Sequence, residues 1–392
     1  MKDVYIVSAV RTAIGKYGGS LSGTKANELG TFAAVAAIQK AGLSADMIDE
    51  TIFGCARQAG IGPNIARQIA HRTGVPDSKP AYTINKACGS GLKSILNGYA
   101  SILLDDNGIV LAGGVESMSN IPYLLTQARW GYRMGHGEVI DANHLDGYFC
   151  PMADKLMGAT AEDLAGKFGI SRDEQDQYAL ESQQRAEKAI KAGRFKDEIV
   201  PVEIQSKKGS SIFDTDEHPR FGSTIDELKK LKPVFRKDGT ITAGSSSGVT
   251  DGASALILAS EEKVNELKLK PLARIVAASS AGVDPREMGI APVPAVKKLL
   301  EKTKTKLNNI DLIELNEAFA AQVLACDREL HFDMAKLNVN GGAIALGHPT
   351  GCTGARITAT LVHEMQKRNA RLGLSTLCIS GGLGLALLVE KC

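Results

Sequence analysis

Apolar and polar positions along this chain alternate with two periods, and together they predict an order of elements. Val4 to Thr12 (VYIVSAVRT) is a short apolar run, as expected of a strand buried on both faces. From Ala26 to Lys40 the apolar positions Leu29, Phe32, Ala33 and Ala36 fall on one helical face, and Gly42 ends the helix. Ile48 to Phe53 predicts a strand reaching Gly54. A helix over Asn64 to Thr73 stops at Gly74, with Pro76 beyond. An extended segment, Ala81 to Asn85, then runs into NKACGSGLKSI, where Leu92, Ile95, Leu96 and Tyr99 mark the face of another helix. IVLAGG (Ile109 to Gly114) is a second buried strand with a glycine-rich end. Strands and helices alternating in this way predict an α/β layered fold with a mainly parallel sheet.

The same order then recurs. ARIVAA (Ala273 to Ala278) echoes the first strand, and Pro294 to Leu315 echoes the run that ends at Gly54. Within these runs Asn309-Ile310-Asp311 lines up with Met47-Ile48-Asp49. Cys88-x-x-Gly91 lines up with Gly351-x-x-Gly354, each opening a helix. STLCISGG (Ser375 to Gly382) matches IVLAGG and runs straight into a returning strand, LGLALLVE (Leu383 to Glu390). In the first half the returning strand is GASALILAS (Gly252 to Ser260), and the intervening stretch is far longer than an ordinary connection. The pattern divides the chain into a first half (residues 1–117 with 250–269), an inserted lid or loop domain (118–249) and a second half (270–392). The insertion holds a helical segment from Ala159 to Ala192, broken near Gly169. It leaves from the carboxyl end of a strand, where ligands of parallel sheets gather, and is expected to cover such a site.

Composition works mainly by exclusion. The 46 basic and 44 acidic residues among 392 leave a net charge of +2, which does not suggest a nucleic-acid partner. Lys207, Lys208, Lys229, Lys230 and Lys232 are expected on a solvated face. No apolar run is long enough to span a membrane, and MKDVYIVSAVRT does not read as a secretory signal. The cysteines (Cys55, Cys88, Cys150, Cys326, Cys352, Cys378 and Cys392) are odd in number, scattered and without a C-x-x-C pair. That argues against a disulfide framework or a zinc site, and for a reducing cytoplasmic location.

Candidate chemistry gathers at one end of the two half-sheets. Cys88 stands at a helix start, where the positive end of the helix dipole favours a thiolate, although most free cysteines are small buried hydrophobes. Asn316 follows the strand DLIEL, where an Asn-Glu pair on its own reads more commonly as a helix cap. His348 lies between Gly347 and Pro349, at the repeat position of Asn85. Cys378 ends a buried strand and on its own reads as core.

The blocks CGSGLK, AGGVESMS (Ala112 to Ser119), SSGVTDGA (Ser246 to Ala253), NEAFAAQ, GGAIALGHPTGCTGAR and CISGG resemble, in that order, the thiolase family of the acetyl-CoA acetyltransferase type. The likeness covers essentially the whole chain. It implies a duplicated five-layer α-β-α-β-α fold with a large inserted lid. It also implies acyl transfer between coenzyme A thioesters with no permanently bound cofactor and no metal. The reaction would be condensation of two acetyl-CoA to acetoacetyl-CoA and CoA, and in reverse thiolysis of a 3-ketoacyl-CoA. By resemblance Cys88 is the acyl-accepting nucleophile, His348 its base, Cys378 the base for the α-proton, and Asn316 the holder of a water at the enolate oxygen. The backbone N–H groups of Cys88 and Ser380 would form an oxyanion hole. Ser247 would touch the pantetheine and Arg220 lie near the nucleotide, with Ala243, Ala318, Met157, Phe235, Met288 and Phe319 along the acyl and pantetheine pocket. A homodimer or homotetramer is also implied, with no membrane partner.

Some positions depart from the family pattern. Leu156 stands where short-chain members carry histidine, Ser380 replaces a glycine, Cys352 a small residue, and Ser245-Ser246 an Asn-Ala pair. These bear on acyl-chain preference rather than reaction class. Alternative readings are a longer-chain degradative thiolase, a ketoacyl synthase (which has no second cysteine at the place of Cys378) and a non-catalytic acyl-CoA-binding subunit.

Overall fold

The first half supplies strands β1 (Val4–Thr12), β2 (Glu50–Gly54), β3 (Ala81–Ile84), β4 (Ile109–Ser117) and β5 (Thr250–Ser260). Its helices are α1 (Ala26–Lys40), α2 (Ile65–Thr73) and α3 (Ser90–Leu103). The structure, a computed structural model, describes residues 2–206 and 209–392, so Lys207 and Lys208 of the expected basic face lie outside the described residues. Lys229, Lys230 and Lys232 are exposed, as a solvated face requires. The insertion contributes α4 (Met157–Lys167) and α5 (Arg172–Lys191), separated at Gly169, whose φ of +60° ends the first helix. The second half adds β6 (Ala273–Gly282), β7 (Leu312–Leu315), β8 (Leu372–Ile379) and β9 (Leu383–Lys391). With them come α6 (Pro292–Thr303), α7 (Ala320–Leu330) and α8 (Thr350–Arg368).

These strands form one continuous sheet in the order β7-β8-β9-β6-β1-β5-β4-β2-β3. β2 pairs in parallel with β3 and β4, and β7 with β8. β5 runs antiparallel to β1 and β4, and β9 antiparallel to β6 and β8. Each half is thus mainly parallel in direction with one reversed strand, the returning strand that the repeat predicts. The counterpart of β3 in the second half shrinks to a single parallel bridge, Ile313 to Leu337. The halves join antiparallel between β1 and β6 through Tyr5↔Arg274 and Ile6↔Ala273.

Side-chain alternation along the strands builds the layers. In β4, Val110 and Ala112 enter a central core with α3 and α8, while Ile109 and Leu111 face α1 and α2. In β9, Leu385, Leu387 and Val389 enter the same central core, and Ala386 and Leu388 face α6 and α7. Helix, half-sheet, helix, half-sheet, helix is therefore the five-layer order, the one sheet contributing a half on each side of the central helices. A buried strand needs apolar residues on both faces, which is why these segments read as continuous apolar runs.

The insertion is tied down rather than loose. Arg11, fully buried, donates from Nη1 and Nη2 to Asp216 at 2.7 and 2.9 Å and from Nε to Glu198 at 2.6 Å. Its outer part is different: Trp130 is 88% exposed and Met134 99%. Among the described residues no helix is long and apolar enough to cross a membrane.

Candidate active site

The two central helices, α3 and α8, meet near their N-terminal ends because glycines stand at the points of contact. A Cβ on Gly91 would lie 2.8 Å from the carbonyl oxygen of Gly351, and one on Gly354 would collide with the backbone nitrogen of Leu92. The repeat-related glycines thus touch each other, and both helix starts open on one place.

Cys88 sits on the turn from β3 into α3. The residue that bends this turn is Ala87, held at φ +44°, a left-handed conformation that costs a non-glycine residue about 1–2 kcal/mol. Three side-chain bonds hold it: Ala87 N donates to Asn85 Oδ1 (3.0 Å), Lys86 N to Ser90 Oγ (2.8 Å), and Ser90 Oγ to Ala87 O (2.7 Å). Gly89 has an ordinary φ of −83°, and its glycine is needed because a Cβ would strike Ile379 Cδ1. Burial pushes the Cys88 thiol above its usual range, opposed by the Arg57 charge and by the backbone N–H groups of Ser380 and Cys88 itself. Cys88 therefore rests as a thiol, contrary to the thiolate expected from the helix start: desolvation outweighs the helix-end field. The same two N–H groups are those of the expected oxyanion hole. Ser380 directly follows β8 and precedes Gly381 and Gly382 at φ +85° and +80°, which turn the chain into β9.

Cys378, 2% exposed, is the neighbour of Cys88, and its thiol is raised well above normal by burial and then by Cys88. His348, in the loop before α8, donates its backbone N–H to Gly248 O at 3.0 Å. Its Nδ1 lies 2.6 Å from Thr353 Oγ1, and that hydroxyl donates onward to Pro349 O. The hydroxyl proton is thereby engaged, so Nδ1 carries the imidazole proton and Nε2 keeps a lone pair, which is buried and unpartnered. Burial, then the Arg57 and Arg356 charges, lower the His348 pKa to about 3, so the ring is neutral at neutral pH. Asn316 directly follows β7, its N–H donating to Thr376 O of β8 at 3.0 Å, and both polar atoms of its buried side-chain amide lack partners. It is not a helix cap, since α7 starts later, at Ala320. Glu317 is instead a scaffold, accepting from Tyr178, Ser182 and Asn338.

An apolar wall stands against Cys378: Met157 from α4, Met288, Ala318 and Phe319 form one buried cluster with it, and Phe235 meets Phe319 edge-on at 5.8 Å. Ser247 is bonded through its N–H to Ala318 O at 3.0 Å, at the edge of this wall. Ala243 and Arg220 are exposed, farther out. Leu156 pairs with Phe149 immediately before α4. Cys352 is buried in the first turn of α8, its thiol pushed up to about 12 by burial, which leaves it inert. Ser245 and Ser246 fold back on Thr242, Ser246 Oγ donating to Thr242 O at 2.7 Å.

Sequence reasoning did not single out four residues near the site: Glu116, Thr353, Arg57 and Tyr148. Glu116 anchors the start of α8, accepting from Gly351 N (2.8 Å) and Thr350 Oγ1 (2.7 Å) as well as from Ala56 N and Arg57 N. It lies in AGGVESMS, and a carboxylate inside an apolar strand was the available clue.

Comparison with known proteins identifies the family. Residues 4–262 match the thiolase N-terminal domain and 269–391 the thiolase C-terminal domain. An acetyl-CoA acetyltransferase of Pseudomonas aeruginosa is 51% identical over 392 residues, covering 100% of both chains. The crystal structure of the Bacillus anthracis acetyl-CoA acetyltransferase superposes with a TM-score of 0.98 at 46% identity, over 100% of this chain and 99% of that one. Human mitochondrial 3-ketoacyl-CoA thiolase in complex with CoA gives 0.96 at 44% identity, over 100% and 98%. The chain belongs to the thiolase family and is an acyltransferase.

Proposed function

We propose that this thiolase condenses two acetyl-CoA to acetoacetyl-CoA and CoA, and reverses the reaction by thiolysis of 3-ketoacyl-CoA. The observations that carry the reading are the neighbouring thiols of Cys88, partly buried, and Cys378, buried, together with a neutral His348 whose buried Nε2 has no partner. His348 Nε2 takes the Cys88 proton as the sulfur attacks the thioester carbonyl. The oxyanion is held by the N–H groups of Cys88 and Ser380. The departing CoA sulfur takes the proton of Cys378, leaving acyl-Cys88, a Cys378 thiolate and a His348 imidazolium. That thiolate then removes the α-proton of the second acetyl-CoA, an exchange that free thiols in water achieve poorly and that desolvation makes possible. His348 and a water on Asn316 hold the enolate oxygen. The enolate carbon attacks acyl-Cys88, and the released sulfur recovers its proton from His348, so every proton is accounted for.

The coenzyme A thioesters enter as substrates and no resident cofactor takes part. Ser247 and Ala243 would follow the pantetheine and Arg220 the nucleotide end, with Met157, Phe235, Met288, Ala318 and Phe319 around the acyl group. Residues 1–117 with 250–269 act as one half, 270–392 as the other and 118–249 as the cover. A cytoplasmic homodimer or homotetramer fits β3 lying at an open sheet edge and the exposed apolar loop around Trp130. The test is CoA release from acetyl-CoA followed by mass spectrometry. Cys88→Ser should lose both release and acyl adduct. Cys378→Ala should still be acylated yet condense about 10²–10⁴-fold more slowly. No adduct on that variant would refute the division of labour.

A further inference from the structure

His348 is held by backbone on two sides, and one side chain of the insertion touches both. On one side its N–H donates to Gly248 O at 3.0 Å. On the other the chain reaches it from the single helical turn Ala343–Leu346 through Gly347, whose φ of +100° makes the corner. His218 lies between these two segments. Its Nδ1 is 2.7 Å from Ala345 O. Its other edge bears on Gly248, where a Cβ would stand 2.0 Å from Nε2 and 2.5 Å from Cδ2 and Cε1. A carbonyl oxygen only accepts, so Nδ1 carries the proton and donates. Burial lowers the pKa of this ring against the raising effect of that bond, and the Arg220 charge lowers it further. The segments also meet directly, since a Cβ on Gly347 would lie 2.3 Å from Thr250 Cγ2. The ring therefore closes a small circuit of contacts with His348 at its corner.

The second observation is how firmly the ring is held from behind. Asp216, two residues before it, takes both Nη groups of buried Arg11. Glu217 is fixed on residues 14–20: its N–H donates to Ile14 O at 2.9 Å, and its carboxylate accepts from Lys16 N and Ser20 N, each at 3.1 Å. Two residues after the ring, Arg220 N donates to Gln183 Oε1 at 2.9 Å. A side chain anchored on both flanks has little freedom to follow a shift of His348, so it acts as a fixed stop.

We infer that His218 is a positioning residue for His348: by donating to Ala345 O while bearing on Gly248, it fixes the two segments that set where His348 Nε2 points. The insertion thereby sets the geometry of proton removal besides covering the site. This rests on the proposed role of His348 as the base for Cys88, and His218 itself transfers no proton.

The test is single-turnover acylation of Cys88, followed by mass spectrometry over a range of acetyl-CoA concentrations, which separates the limiting rate from the half-saturating concentration. Leucine and asparagine have nearly the same shape, but only the asparagine amide nitrogen can replace Nδ1 as donor to Ala345 O. His218→Leu should lower the limiting rate about tenfold to a hundredfold with half-saturation unchanged, the effect of a small misplacement of a catalytic group. His218→Asn should recover most of that loss. A rate constant does not depend on the folded fraction, and His218→Gln, whose amide falls at the place of Nε2, replaces the leucine variant if that one fails to fold. A wild-type limiting rate in His218→Leu, an equal loss in His218→Asn, or a loss confined to half-saturation overturns the positioning role while leaving the thiolase reading intact. Absence of acylation in the wild type would overturn both.

Discussion

The buried His348 ring is uncharged at neutral pH, and its burial has a consequence for stability. Its folded pKa of about 3 lies below the ordinary value of 6.5, so the unfolded chain takes up this proton first. The neutral ring therefore contributes stability above pH 6.5 that is lost as pH falls toward 3. The slope from this one group is about 1.4 kcal/mol per pH unit. Urea denaturation between those limits should show a shallower pH dependence for His348→Asn than for wild type; identical slopes would mean that the ring is not buried neutral. Cys88 and Cys378 titrate in the opposite direction, both raised, so neither contributes to that acid range.

At the scale of elements, the site depends on two helix starts that touch. Gly354→Ala should push α8 from α3, because its Cβ meets the Leu92 backbone rather than a movable side chain. The expected loss is about 1–3 kcal/mol in denaturation, with slower acylation of Cys88. Stability and acylation rate both at wild-type level would show that the crossing has slack. Much of this level was legible in the sequence. The helix over Ala26 to Lys40, the returning strand from Leu383 and the alignment of Gly91 with Gly354 follow from periodicity and repetition. What was not legible depends on burial. The strain at Ala87 looks like an ordinary alanine in NKACGSG, and the resting thiol of Cys88 reflects desolvation that no local pattern encodes. Arg57 in GCARQAG is indistinguishable by pattern from a surface arginine, and only the three-dimensional neighbours reveal that it is buried.

For the molecule as a whole, duplication places the proposed catalytic groups on elements far apart in sequence. Cys88 comes from the first half and His348, Asn316 and Cys378 from the second, while the insertion adds Met157 to the apolar wall. The antiparallel seam between β1 and β6 is short, so the central core around α3 and α8 carries much of the cohesion between halves. Buried Arg11 fixes the insertion over that core with Asp216 and Glu198. The only tryptophan of the sequence, Trp130, is 88% exposed on the outer loop of that insertion. It is therefore a natural chromophore whose colour reports on what covers the loop. When copies associate there, emission should sit toward the blue and move to the red on dilution, in step with the mass from light scattering. Red emission from an assembled sample would locate the contacts elsewhere on the surface. A single indole thus turns a question of assembly into a spectroscopic titration on the unlabelled protein.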